Sequence, residues 1–309
     1  MTRLLVVGLF VFGSLAARLD AAEITVAESP QGVTVNVDGQ LFTEYLTKSG
    51  SKPILWPLVA PGGKRVTRNW PMETGVPGET DRDHPHQRSL WFTHGDVNGV
   101  DFWSEGKGRI EHREFVKVAG GPDATIVTRN DWLSPDGSKL ICQDERTLRF
   151  GADADRRWID FEIVVKASDG PVVFGDTKEG SFGVRTASSM RVDSKQGGKI
   201  VNSEGQSNQA AWGKPAAWVD YHGPVDGEVL GIAILNHPTS FRFPTHWHVR
   251  TYGLFAANPF GLSDFTAGAQ KGAYTLPAGE TMTLRYRVLI HRGDEQAGRV
   301  AESFADYSK

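Results

Sequence analysis

Two stretches of the chain place imidazoles at alternate positions and follow them with a guanidinium. In DHPHQR the residues are His84, His86 and Arg88, and in THWHVR they are His246, His248 and Arg250. Side chains of an extended backbone repeat every two residues, so each triplet is expected on one face of its segment. Pro85 favours an extended conformation at His84. His94, at the far end of the apolar run SLWF, is expected apart from the first pair. A third cluster, DTKEGSFGVR, offers Asp176, Lys178, Glu179 and Arg185 around two glycines, with Glu179 at a strand end facing a cleft. A fourth, LNHPTSFRFP, carries Asn236, His237 and Arg242 where a strand gives way to a loop, a usual position for site residues.

Histidine titrates near neutral pH and can give or take a proton there. A carboxylate such as Glu179 is its natural counterpart. Arginine holds hydroxyls or carboxylates through a forked set of donors. Trp91, Trp103, Trp212 and Trp247 supply rings that stack on the apolar face of a sugar. The set fits acid–base work on a polyhydroxylated substrate. His84, His86 or His248 would move the proton and Glu179 would be the carboxylate partner. Arg88, Asp176, Arg185, His237, His246, Arg250 and Trp103 would contact the substrate. Two other functions fit the same residues. One is a sugar-binding protein without turnover. The other is a metal-dependent enzyme with His84, His86, His246 and His248 as ligands, since imidazoles at i and i+2 on a strand can share an ion. The principal reading needs no cofactor. No His-Glu-x-x-His, Cys-x-x-Cys, Gly-x-Ser-x-Gly or phosphate-binding glycine loop is present, which leaves the common zinc-protease, serine-hydrolase and nucleotide readings without support.

The elements that must position these groups are strands. ITVAES and VTVNVDGQLF alternate apolar and polar residues about an Asp38-Gly39 turn. TIVTRNDWLS, KLICQDERTLRF, RWIDFEIVVKAS and TMTLRYRVLIHRG repeat the alternation, and VLGIAILNH has the continuous apolarity of a strand buried on both faces. Only Asp294 to Tyr307 reads as helix. The expected fold is all-β: one large antiparallel sandwich of roughly fifteen or more strands with a short C-terminal helix. The long loops 61–83 and 190–218 are expected to be functional.

Composition limits the partners. Of 309 residues, 39% are hydrophobic and 23% charged, which is ordinary for a globular protein, and the formal charge of −3 lacks the basic surplus of a nucleic-acid binder. A short positive start, the apolar run Leu4 to Ala17 and small residues at Ala21 and Ala22 make the pattern of a secretory signal peptide. Cleavage is expected near Ala21, leaving residues 23–309 as a single exported domain, periplasmic or extracellular, with no stable membrane association. Cys142 is the sole cysteine, so no internal disulfide is available and core burial must hold the chain together.

The segments ILWPLVAPGGKRVTRNWPM, GETDRDHPHQRSLWFTHGDVNGVDFW, DTKEGSFGVR, WVDYHGPVDGEVLGIAILNHP and THWHVRTYGLFAANPFG together resemble the PmoA-like family of exported bacterial proteins. Where many relatives have His-His after the proline, this chain has His86-Gln87. The family label suggests a methane monooxygenase subunit, a multi-span membrane protein. This chain has no span after its leader, which speaks against an oxygenase. The resemblance implies a supersandwich similar to galactose mutarotases, in which histidine acts as acid and a carboxylate as base on a concave sheet. Fold alone does not set function.

Overall fold

The computed structural model describes residues 22–79 and 81–309, so the expected leader, apart from Ala22, lies outside the described residues. Eighteen strands follow in chain order. The first nine are β1 (Ile24–Ser29), β2 (Gly32–Val37), β3 (Gln40–Ser49), β4 (Lys52–Leu55), β5 (Leu90–His94), β6 (Arg109–Ala119), β7 (Thr125–Leu133), β8 (Leu140–Ala152) and β9 (Arg156–Lys166). The rest are β10 (Val172–Phe174), β11 (Gly180–Arg185), β12 (Lys199–Asn202), β13 (Trp218–Val225), β14 (Glu228–Asn236), β15 (His246–Val249), β16 (Leu254–Asn258), β17 (Tyr274–Leu276) and β18 (Thr281–Arg292). Two helices, α1 (Leu262–Phe265) and α2 (Val300–Tyr307), complete the elements used below.

The strands form two eight-stranded antiparallel sheets and one two-stranded ribbon. The first sheet runs β1-β2-β3-β4-β5-β11-β16-β15 and the second β12-β13-β14-β18-β9-β8-β7-β6, while β10 pairs with β17. The protein is therefore a large antiparallel β-sandwich with a short C-terminal helix.

Alternation in the sequence becomes alternation across each sheet. In β9 the buried residues are every second one, including Ile159, Phe161, Ile163 and Val165, while Asp160 and Glu162 face outward. The Asp38-Gly39 turn joins β2 to β3 with both residues at positive φ, 50° and 75°, the geometry of a tight hairpin. Between the sheets lies one continuous core, in which Phe182 of the first sheet stacks on Tyr286 of the second at 4.6 Å. Each such side chain contributes about 1.5–3 kcal/mol by leaving water. Cys142 lies in this core. A buried polar network crosses it: Tyr45 Oη reaches Thr128 Oγ1 and Asn130 Oδ1, and Asp144 pairs with Arg146 at 2.8 Å.

β14 is buried on both faces because Ala233 and Leu235 pack outward with Leu289 and Val300 of α2. The helix is shorter than the pattern suggests. Residues 294–299 form a turn in which Asp294 Oδ1 accepts from the Gln296 and Ala297 amides, and Arg299 at φ +50° precedes the first helical residue. Gly298 sits where a Cβ would meet the His291 ring at 2.2 Å, so the chain turns tightly there before the helix begins. Among the described residues no helix is long and apolar enough to cross a membrane.

Candidate functional site

The outer face of the first sheet is the floor of the site. Trp91 of β5 lies opposite Gly183 of β11, and a Cβ on that glycine would come within 2.7 Å of the indole. The absent side chain lets the ring lie flat on the sheet. Trp103 packs on Trp91 at 5.4 Å, and Leu46, Ile54, Leu254 and Ala256 complete a small apolar layer outside the main core.

On this layer opens a cavity of about 340 Å³ lined by His84, His86, Gln87, Trp103, Ser104, Lys178, Glu179, His248, Arg250 and Tyr252. β15 presents His248 outward while Trp247 and Val249 enter the core, as period two requires. Lys178 and Glu179 lie just before β11. Arg250 and Tyr252 come from the turn between β15 and β16, which closes with the Gly253 amide donating to the Arg250 carbonyl at 3.0 Å.

The DHPHQR segment is not the extended strand its sequence suggests. His84 has φ +44°, and the Gln87 amide donates to the His84 carbonyl at 3.0 Å, making a turn. Two guanidiniums whose side chains are wholly buried impose this shape. Arg68 donates to Asp83 Oδ1 at 2.5 Å and to the His84 carbonyl at 3.0 Å. Arg185 donates to Asp83 Oδ1 and Oδ2 at 3.1 and 3.3 Å and to Gln87 Oε1 at 2.5 Å. These contacts outweigh the strain of a left-handed non-glycine residue, about 1–3 kcal/mol.

Asp83 in turn holds His84, with Oδ2 2.7 Å from Nδ1. Partial burial raises the Asp83 pKa, but Arg185, the hydrogen bond from His84 and Arg68 outweigh it and hold the carboxyl down at about 2. An ionised Asp83 accepts the Nδ1 proton, which leaves the Nε2 lone pair of His84 free. Tyr252 stacks on the same imidazole at 5.3 Å with the planes 8° apart, and the Arg185 guanidinium sits 4.8 Å from the Tyr252 ring.

The other two imidazoles of the cavity are held neutral. Burial, helped by Lys52 and His84, pushes His86 down to about 4. Burial, helped by Arg250, pushes His248 down to about 3, and its Nδ1 is buried without a hydrogen-bond partner among the described residues. Neutral imidazoles serve as hydrogen-bonding groups at neutral pH, while His84 is the imidazole of the cavity with a carboxylate partner.

The remaining candidates lie elsewhere. Arg88 turns away to Glu105 Oε1 at 2.9 Å and Ser49 Oγ at 3.0 Å, where buried Lys52 also approaches Glu105 at 3.5 Å. Arg185 lies beneath the cavity and supports it. Asp176 accepts from the Ser263 and Gly272 amides and the Ser263 hydroxyl, which pins the loop from α1 to β17. His246 stacks on Phe265 at 6.0 Å, outside the cavity. His237 is on the other sheet, with Nδ1 2.8 Å from Thr239 Oγ1 and its ring edge-on to Tyr307. His94 is fully buried, with Nε2 2.8 Å from the Gly175 carbonyl. The imidazoles of His84, His86, His246 and His248 therefore do not converge on one point. Among the described residues, the one group of three or more ligand atoms mutually within 4.8 Å is Asp220, His222 and Glu295.

Gln87 and Tyr252 contribute to the cavity although neither stands out in the sequence. Their signals are adjacency: Gln87 follows His86, and Tyr252 lies two residues past Arg250. A larger cleft of about 890 Å³ lies between the loops 63–81 and 187–196. Its charged groups already serve those loops: Glu79 accepts from the Asn69 and Trp70 amides, and Arg191 pairs with Asp81. The smaller cavity brings His84 and its carboxylate partner together with a half-exposed Lys178–Glu179 ion pair at 3.3 Å.

Solved structures similar to this chain include a beta-arabinopyranosidase, at 10% identity and a TM-score of 0.33, covering 89% of this chain and 39% of that one. A polysaccharide lyase is similar at 13% identity and a TM-score of 0.33, over 90% of this chain and 33% of its own. The Slr1438 protein from Synechocystis sp. PCC 6803 is similar at 9% identity and a TM-score of 0.35, over 92% of this chain and 100% of that one. The chain thus spans about two fifths and one third of the length of the first two. No curated protein matches it in sequence. Residues 32–305 match a family of unknown function, DUF6807, and the chain belongs to that family.

Proposed function

We propose that this chain binds a sugar in the cavity over the first sheet and acts on it by acid–base catalysis, as an epimerase, lyase or hydrolase. The observation that carries this reading is the Asp83–His84 pair at 2.7 Å, which opens into the same cavity as Glu179, Lys178 and Arg250. His84 takes a proton through Nε2 while Asp83 stabilises the resulting imidazolium. Glu179, at the other sequence-distant edge of the cavity, is the second proton carrier. Lys178 and Arg250 supply positive charge where an oxygen of the substrate becomes anionic. The Trp103 and Tyr252 rings provide apolar wall for the carbon face of a sugar, and neutral His248 and His86 offer hydrogen bonds to hydroxyls.

The two neutral imidazoles also favour a second reading, binding without turnover. A panel of sugars, uronic acids and keto-sugars tests both, with thermal shift for binding and product analysis for turnover. Under the catalytic reading, His84→Gln and Glu179→Gln abolish product while the thermal shift persists. A ligand that binds the wild type and is recovered unchanged refutes catalysis on it and favours the binding reading.

We further propose that residues 1–22 are a leader and that 23–309 is exported as one domain. The positive start and the apolar run after it support this. An intact Met1 on protein recovered from the cell envelope refutes it.

A further inference from the structure

The outer face of the second sheet, on the far side of the core from the cavity, carries a separate cluster of ligand-type groups. Val219, Tyr221 and Ile290 point into the core, so Asp220 and His222 of β13 and His291 of β18 point outward. Asp220 is fully buried all the same. Its Oδ1 lies 2.6 Å from His222 Nδ1 and its Oδ2 lies 2.7 Å from His291 Nε2. Gly231 of β14 pairs with both His222 and His291, and a Cβ there would fall 2.2 Å from the His291 ring. Only glycine leaves room for the imidazole.

The turn after β18 closes over this group. Asp294 shapes it, and Glu295 follows with its side chain only 15% exposed. Glu295 Oε2 lies 3.7 Å from His222 Nδ1, is itself out of solvent, and has no hydrogen-bond donor among the described residues. One oxygen of Asp220, one ring nitrogen of His222 and one oxygen of Glu295 all lie within 4.8 Å of one another. A buried carboxylate oxygen without a donor is costly, and a cation in reach of it removes that cost.

We propose that Asp220, His222 and Glu295 form a divalent metal site that fastens the turn before α2 to the second sheet. The cation takes the place of the proton that otherwise bridges His222 Nδ1 and Asp220 Oδ1. His291 donates to the outer oxygen of Asp220 and fixes its orientation, the supporting role that outer partners of metal ligands play. One imidazole with two carboxylates suits Zn²⁺ or Mn²⁺ better than a purely hard cation. Solvent completes the coordination. Because the three ligands come from a strand and from a turn 73 to 75 positions later in the chain, the ion stabilises the folded state in particular. The site is independent of the sugar reading.

The test uses the purified protein stripped with a chelator and titrated with ZnCl2 or MnCl2, with melting temperature and bound metal both measured. The expected result is about one equivalent of metal per chain and a rise in Tm of several degrees at metal concentrations well above Kd, as linkage requires. Glu295→Gln and His222→Gln are each expected to lose the rise and to weaken binding at least tenfold. Glu295 makes no hydrogen bond through Oε2, so Glu295→Gln folds with a Tm no lower than that of the stripped wild type and keeps the test decisive if His222→Gln does not fold. Wild type that takes up neither cation, or Glu295→Gln that binds as tightly as wild type, overturns the proposal.

Discussion

Replacing Asp83 by asparagine tests the chemistry of the cavity most directly. The substitution keeps the shape of the side chain and removes its charge. As it stands, Asp83 accepts from Arg68, Arg185 and His84 at 2.5, 3.1 and 2.7 Å. The asparagine of Asp83→Asn can still accept from a guanidinium through its carbonyl oxygen, but it meets His84 Nδ1 with an amide N–H. The imidazole must then carry its proton on Nε2, facing the cavity, and cannot act as a base. General acid–base catalysis contributes about 10²–10⁴-fold, so turnover of the sugar identified by the panel should fall by that factor. Binding should change less than tenfold, because Trp103, Tyr252, His248 and Arg250 are untouched. Stability should also fall. Breaking a fully buried pair costs about 3–5 kcal/mol. The Asp83 side chain is 44% exposed and asparagine keeps an acceptor, so a loss of about 1–2 kcal/mol is expected after allowing for solvent screening. The assay is steady-state turnover with ligand affinity and a urea midpoint on the same preparations. Turnover within threefold of wild type, in protein that binds normally, would refute the role given to the Asp83–His84 pair.

Two further outcomes concern stability. His94 is fully buried, and burial holds its pKa at about 4 against 6.5 when unfolded. The unfolded chain therefore takes up the proton first as pH falls, so stability is full above about pH 6.5 and falls between 6.5 and 4. For His94 alone the loss is roughly 3 kcal/mol over that window, and His86 and His248 act in the same direction. Carboxylates held low, such as Asp83, lose their contribution only below about pH 4, so the upper window belongs to the histidines. Urea unfolding at pH 7 and 4.5 checks this, and equal midpoints would contradict it. Asp144 accepts from Asn130, Trp132 and Arg146 with no exposure to solvent, so Asp144→Ala leaves the buried Arg146 charge unpaired and should cost about 3–5 kcal/mol. A loss below 1 kcal/mol by denaturant titration would show that the network is dispensable.

Much of the fold is legible in the chain because burial on one face of a strand writes period two directly into the residues. β9 and β2 read that way, and the Asp38-Gly39 turn reads from its residue types. The continuous run of β14 signals burial on both faces without saying that α2 covers the second one. The start of α2 was harder to place. The acidic residues at 294 and 295 resemble a helix start, yet they shape a turn whose tight approach to His291 depends on a strand pairing that the local pattern does not encode.

The candidate site divides along the same line. His248 follows from strand period and Glu179 from its place at a strand end, while Arg250 reaches the cavity from the turn after β15. His84 and His86 reach the cavity through a turn that local propensity argues against. That turn exists because Arg68 and Arg185, fifteen residues before Asp83 and 102 after it, grip Asp83 from beneath. Arg88, in register with the two histidines by sequence, is drawn off by Glu105. The strand-rich architecture, the turn residues and the inventory of acid–base groups are all written in the linear chain, because they depend on neighbours a few positions away. Which imidazole has a carboxylate partner, which are buried neutral and which lie on the far sheet are set by long-range packing, because solvation and charge at each ring come from residues brought together from distant parts of the chain.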